Sequence, residues 1–326
     1  MLFERRASVA LALAAFVAWA IPASAQSDFP NRRINVIVPY PAGGIVDIAT
    51  RVFTERVSKS LGQPITIENK PGANANLGTD LAARAEPDGY TWVFMGPATL
   101  ANPHIYTGLR WSDKSFVTVG IIAWAPAALI VNPGSPASTV KEFVALAKAS
   151  PGSLNFGNAG IGSSTHLNAV LFMQGSGIEL TTVAYPGQPP FLLDMMADRV
   201  QFAVASIGLV SQNVAEKKLK ALAVISNGRS PLLPDTPTMA EAGFPQNNLV
   251  PWYGLAVPKA TPQPIAEKIN AAVNAALKDP EIKALFEKQA LEVIEPKSLS
   301  DIAAVVTKDS AIYARVVKDA NIKVNP

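Results

Sequence analysis

INVIVPYPAGGIVDIATR, residues 34–51, passes from a run of strand formers through two prolines and two glycines into a helical pattern. INVIVPY reads as a strand, and Ile45–Leu61 as an amphipathic helix closed by Gly62. Residues 64–70 form a second strand, 71–78 a loop and 79–85 a short helix. A third strand spans 87–95, entered through the turn Pro87-Asp88-Gly89. Strand and helix alternating in this way open a doubly wound parallel sheet.

The alternation restarts near Ala127. Strands are expected at 128–134, 153–160, 178–185, 201–206 and 221–228, with helices between them at 138–149, from 162, at 190–199 and at 210–220. Ser138 is the expected N-cap of the first of these helices. Leu167, Val170 and Leu171 stand at i, i+3 and i+4 on one face of the second. A further strand begins after Pro251, followed by a helix at 264–279 and two more helical stretches. Two α/β lobes of similar build result, each a mostly parallel sheet flanked by helices. From the pattern alone the last segment either forms a third unit or returns to the first lobe.

In open α/β sheets ligands bind beyond the carboxyl ends of the strands, where loops meet helix N-termini with unpaired N–H groups. Gly43 and Gly44 let the backbone approach a ligand and adopt positive φ, and Pro39 and Pro41 stiffen the loop. An anion held there needs no Lys or Arg. Asp47 stands where a carboxylate reaches back to the helix start, so its role is mainly structural. A lone glycine loop is more often just a turn. The second lobe repeats the arrangement, however, with Ala159, Gly160 and Gly162 ahead of the hydroxyls of Ser163, Ser164 and Thr165. Two such turns can grip one small anion from both sides.

Composition excludes other classes. The net charge of +3 with no basic run gives no nucleic-acid footprint. Charged residues are 16%, below the average of about 25%, and 49% of residues are hydrophobic, which implies a large core. Arg5-Arg6, an apolar run and Ala23-Ser24-Ala25 read as a signal peptide over residues 1–25. That makes the expected location the periplasm, with Sec and Tat routes both open. With no cysteine there is no disulfide, no lipid-anchoring cysteine and no thiolate metal site. The two histidines, His104 and His166, lie in different lobes, so no metal site is expected, and PAGGIVD lacks dinucleotide-binding spacing, so no cofactor is expected. GIGSSTH invites a serine-hydrolase reading with Ser163 or Ser164 as nucleophile and His166 as base, but no glycine follows two residues after either serine. Trp92, Phe94, Phe156 and Phe202 fall on strands and are expected in the core, whereas Tyr185 and Trp252 flank strands near the cleft or hinge.

VPYPAGGIVDIATR, ENKPGANANLGTDLAARAEPDGYTW, NPHIY, GIGSSTHL, PTMAEAGFP and WYGLAVPKATP occur in this order along the chain. Together they resemble the signatures of the solute-binding (Bug) receptors of tripartite tricarboxylate transporters. The resemblance implies a two-lobed periplasmic-binding-protein fold closing on a small carboxylate, with residues 26–127 plus 252–326 as one lobe and 128–251 as the other. It implies ligand contacts from Tyr40, Ala42, Gly43 and Gly44, from Gly96 and Thr99 in a loop after the third strand, and from 159–165. It also implies a membrane permease as partner for a monomeric, non-enzymatic chain; a sensor role remains an alternative, as does the hydrolase. Three departures stand out. Pro186 replaces a family lysine, Ala205 followed by Ser206 stands where the family has an acid, and Gly96-Pro97-Ala98-Thr99 has fewer hydroxyls than usual. Without that acid an ammonium group has no partner, so a carboxylate lacking an amine is expected, with Tyr40 packing on its body.

Overall fold

The computed structural model describes residues 29–324, and the signal-peptide reading lies outside them. β1 (Ile34–Val38), α1 (Ile45–Leu61), β2 (Ile65–Asn69), α2 (Asn76–Ala83) and β3 (Thr91–Met95) follow one another, with β1 parallel to both β2 and β3. α1 has the expected limits. Gly62 at φ 69° ends it in the left-handed conformation, its N–H donating to Ser58 O. Ala49, Phe53 and Val57, one turn apart, are buried. Side chains of β3 alternate. Trp92 and Phe94 join the core beneath α1, while Val93 and Met95 join the core on the other face.

Residues 97–126 contain two elements that the sequence pattern does not announce, α3 (Pro97–Ile105) and β4 (Phe116–Trp124). Gly96 to Thr99 is therefore not a loop but the N-cap and first turn of α3, with Pro97 at its first position. The chain then runs β5 (Ala127–Val131), α4 (Val140–Ala149), β6 (Asn155–Asn158), α5 (Ser164–Ser176), β7 (Thr181–Ala184), α6 (Gln188–Met196), β8 (Phe202–Ser206), α7 (Ile207–Ala215) and β9 (Lys220–Ile225). It ends with β10 (Trp252–Pro258), α8 (Gln263–Leu277), α9 (Pro280–Glu287), β11 (Glu292–Val293) and α10 (Leu299–Asp319).

Two sheets result, ordered β11-β4-β10-β3-β1-β2 and β7-β6-β8-β5-β9. Each holds a parallel trio, β2-β1-β3 or β7-β6-β8, extended by antiparallel strands. The sheets are thus mixed where mostly parallel ones were expected. The reason lies at the crossings: β5 follows β4 of the other sheet after two residues, β10 follows β9 through residues 226–251 with no α-helix between, and both run against the trio they join. The two crossings touch, the Ala125 N–H donating to Pro251 O at 2.7 Å. The two-lobed α/β expectation holds.

Candidate functional site

Asp47 is 3% exposed, and its carboxylate is fully committed. It accepts from the Gly43 N–H at 2.9 Å, the Asn69 amide at 2.9 Å and the Arg51 guanidinium at 3.0 Å. Burial works to raise its pKa, but the Arg51, Gly43 and Asn69 hydrogen bonds outweigh that and hold it below the usual carboxylate range. Asp47 thereby shapes the loop rather than offering a free charge, and Arg51 neutralises it. Gly43 has φ 79°, which its lack of a Cβ permits, whereas Gly44 caps α1 at φ −77° and needs no such freedom. With Gly43 tied to Asp47, the N–H groups of Gly44, Ile45 and Val46 have no partner among the described residues. Ala42, Gly43 and Gly44 are exposed.

The second turn is internally bonded to a degree its sequence conceals. The Ala159 N–H donates to Thr165 Oγ1, Gly160 N–H to Asn158 Oδ1 and Gly162 N–H to His166 Nδ1. Ser163 caps α5, its Oγ accepting from the His166 N–H, and pairs with Thr165 Oγ1 at 2.9 Å. At this end the N–H groups of Ser164 and Thr165 have no partner among the described residues. His166 is 4% exposed and stacked on Phe156, and burial lowers its pKa to about 4. Its Nδ1 accepts from Gly162, and no hydrogen bond joins the ring to Ser163 or Ser164. The base–nucleophile contact required of a serine hydrolase is not formed.

Between the sheets, Ser164, Thr165 and Asn168 of α5 and Ser206 meet Tyr253 of β10 around a cavity of about 10 Å³ beside Ala125 and Pro251. That is room for about one water. Tyr253 packs edge-on against Phe94 at 5.2 Å, and Phe94 against Tyr40 at 5.7 Å, so an aromatic row runs from the cavity to the first glycine loop. Burial pushes the Tyr40 hydroxyl up to about 12 and raises that of Tyr253 as well. Neither phenol has a hydrogen-bond partner among the described residues. Ser206 is clamped by Gln188, whose amide donates to Ser206 Oγ and accepts from its N–H, both at 2.9 Å. Ala205 lies in the core with Ala128 and Val224, so Ser206 is the group that reaches the cavity.

Other expected residues sit apart. Gly96 is buried behind Phe94, where a Cβ would lie 3.1 Å from that ring, and Thr99 is 2% exposed with its N–H on Gly96 O. The Tyr185 hydroxyl donates to Asp194 at 2.7 Å, a bond that, after burial, keeps its pKa near 12. Trp92, Phe156 and Phe202 are core residues, as expected, while Phe94 serves both core and site. Tyr253, Asn168 and Gln188 belong to the site although no sequence motif marks them. A larger groove of about 940 Å³ lies outside, between α5 and the end of α10, and shares Ile161 and His166 with the second glycine turn. Among the described residues no cluster of three metal-ligating side chains occurs. No helix there is long and apolar enough to cross a membrane.

Residues 49–322 match the profile described as "Tripartite tricarboxylate transporter family receptor". The chain belongs to this family. Its similarity to the UPF0065 protein in the tcbD-tcbE intergenic region of Pseudomonas sp. (strain P51) is 34% identity, covering 84% of this chain and 83% of that one. Protein BugT of Bordetella pertussis is 31% identical over 83% of each chain. Among solved structures, R. palustris Rpa4515 with adipate superposes with a TM-score of 0.82 at 29% identity, over 91% of this chain and 100% of that one. The periplasmic binding protein BugD gives 0.79 at 30% identity, over 91% and 100%. MatC from Rhodopseudomonas palustris with bound malate gives 0.79 at 30%, over 89% and 100%. The family is one of solute-binding receptors, and the recognition of a Bug-type two-lobed receptor from the ordered motifs holds.

Proposed function

We propose that this receptor captures a small carboxylate in the periplasm between lobes 26–127 with 252–326 and 128–251, and delivers it to a tripartite tricarboxylate-type permease without chemical turnover. The observation that carries the reading is the cavity where the free N–H end of α5 meets Tyr253 of the other sheet at the crossing of the two lobes. A helix N-terminus favours negative charge, and relatives are seen with adipate and with malate. Because the enclosed space is about 10 Å³, admitting a carboxylate requires the lobes to part and re-close around it. Tyr40, Ala42, Gly44, Ser163, Ser164, Thr165 and Ser206 are the proposed contacts, with Gly43, Asp47, Ala159, Gly160 and Gly162 shaping the turns. Gly96 supports Phe94 from behind, and Thr99 and Tyr185 act as second-layer supports.

The cavity's lining holds no acidic side chain. An ammonium group would be buried there without a partner, which supports a ligand lacking an amine, its apolar body against the Tyr40–Phe94–Tyr253 row. A thermal-shift screen of the mature protein against adipate, malate, citrate, aspartate and benzoate tests this. The amine-free acids are expected to raise the melting temperature with concentration, and aspartate to do so less than malate. A larger shift with aspartate overturns the ligand class, and no shift with any acid overturns the carboxylate reading.

A further inference from the structure

We propose that Asn74 is a positioning residue that reaches from the six-stranded unit to hold the glycine turn of the other unit in place. Ala73, Asn74 and Ala75 carry φ of 46°, 51° and 73°, three successive non-glycine residues in the left-handed region. Such conformations are disfavoured for residues with a Cβ and persist where surrounding contacts fix them. Here the contact is specific. Asn74 Nδ2 donates to Asn102 Oδ1 at 2.9 Å within its own unit and, across the gap to the other unit, to Ile161 O at 3.0 Å.

The direction of these bonds is determined by their partners. Asn102 Nδ2 donates to two acceptors, Asn74 O at 2.6 Å and Asn76 Oδ1 at 2.7 Å. Its Oδ1 is left as the acceptor facing Asn74, which places the Asn74 amide nitrogen, not its oxygen, toward Ile161. Asn102 is fully buried, so the network is rigid. Gly162 completes the fit. A Cβ there would stand 2.7 Å from Ile105 Cδ1 and 2.9 Å from Asn74 Nδ2, and its φ is 85°. A side chain here would be strained at that φ and would push the Asn74 amide aside, so glycine is what this close approach favours. The strained loop therefore does not touch the cavity itself; it sets the position of Ile161 and Gly162, one turn ahead of the free N–H end of α5.

Asn74→Gly keeps the left-handed backbone and deletes the amide. Asn74→Asp keeps the size and the tolerance for that backbone but presents an acceptor to Ile161 O and Asn102 Oδ1. Amide hydrogen exchange of the intact, ligand-free mature protein reads the result by segment. Both variants are expected to speed exchange of residues 159–166 about fivefold, the factor an ordinary hydrogen bond contributes to an equilibrium, and to leave β3 (91–95) unchanged. Unchanged exchange at 159–166 in both variants overturns the proposal. So does an acceleration in the glycine variant that is equal throughout the chain, which would mean a merely structural role. That the positioned turn serves ligand binding rests on the receptor reading. The exchange experiment uses no ligand, so its failure leaves that reading intact, and an empty carboxylate screen leaves the Asn74 contact intact.

Discussion

Burial holds the His166 ring neutral well below the pH at which an unfolded histidine protonates, and its Nδ1 needs to stay unprotonated to accept from Gly162. An unfolded histidine titrates near 6.5, and this one at about 4 in the fold. Between those values the unfolded chain binds a proton that the folded chain refuses. Stability is thus full above about pH 6.5 and falls as the pH drops, by up to about 1.4 kcal/mol per pH unit. Urea unfolding between pH 5 and 6.5 is expected to show this slope. In His166→Asn, whose Oδ1 can replace Nδ1 as acceptor, it should flatten; an unaltered slope would assign the effect elsewhere. Asp47 gives a prediction of opposite character, because its removal takes away the shared acceptor of Gly43 N–H, Asn69 and Arg51, although Asn69 keeps Tyr40 O and Arg51 keeps Asn69 Oδ1. Asp47→Ala is expected to cost about 1–2 kcal/mol, read as a lower urea midpoint with unchanged m-value.

The start of α4 shows how an element's chemistry can be legible while its register is not. Ser138 fits an N-cap by residue type, yet the cap is Thr139. Its Oγ1 accepts from Glu142 N–H at 3.2 Å, and Glu142 Oε2 accepts from the N–H groups of Ser138 and Thr139 in return. A capping box needs the acid three residues after the cap, and that spacing selects Thr139. Thr139→Ala is expected to lose about 1 kcal/mol and Ser138→Ala much less; equal losses from urea titrations of both would contradict this assignment. α1 was legible to the residue because Gly44 and Gly62 mark both ends of a strongly two-faced sequence. α3 was not, because residues 97–102 are all buried and leave no polar face to produce a helical period. α2 begins at Asn76, not Thr79, since the left-handed turn at 73–75 carries the chain straight into it.

At the scale of the whole molecule, sequence located both glycine turns and the return of the chain to the first sheet through family motifs. It did not show which N–H groups remain free, because that depends on where the side chains of Asn158, Thr165 and His166 point. Nor did it mark Tyr253, which sits in a fully buried strand where a register shift against β4 follows it. The same burial bears on the lobe opening proposed above. Leu167 and Val170 of α5 share a core with Ile105 of α3 and Val316 of α10, so apolar side chains join the two units in addition to the crossings. Each such side chain contributes about 1.5–3 kcal/mol when fully buried, and an opening that exposes them works against that sum. A charge placed in this seam reverses its sign, since a buried carboxylate without a partner is costly. Leu167→Asp, at a fully buried position of the seam, is therefore expected to open the ligand-free protein, seen as a larger radius of gyration in small-angle X-ray scattering with unchanged far-UV circular dichroism. If the radius stays the same while the protein remains folded, the lobes do not part along α5, and the route to the cavity runs past the crossings at Ala125 and Pro251 instead.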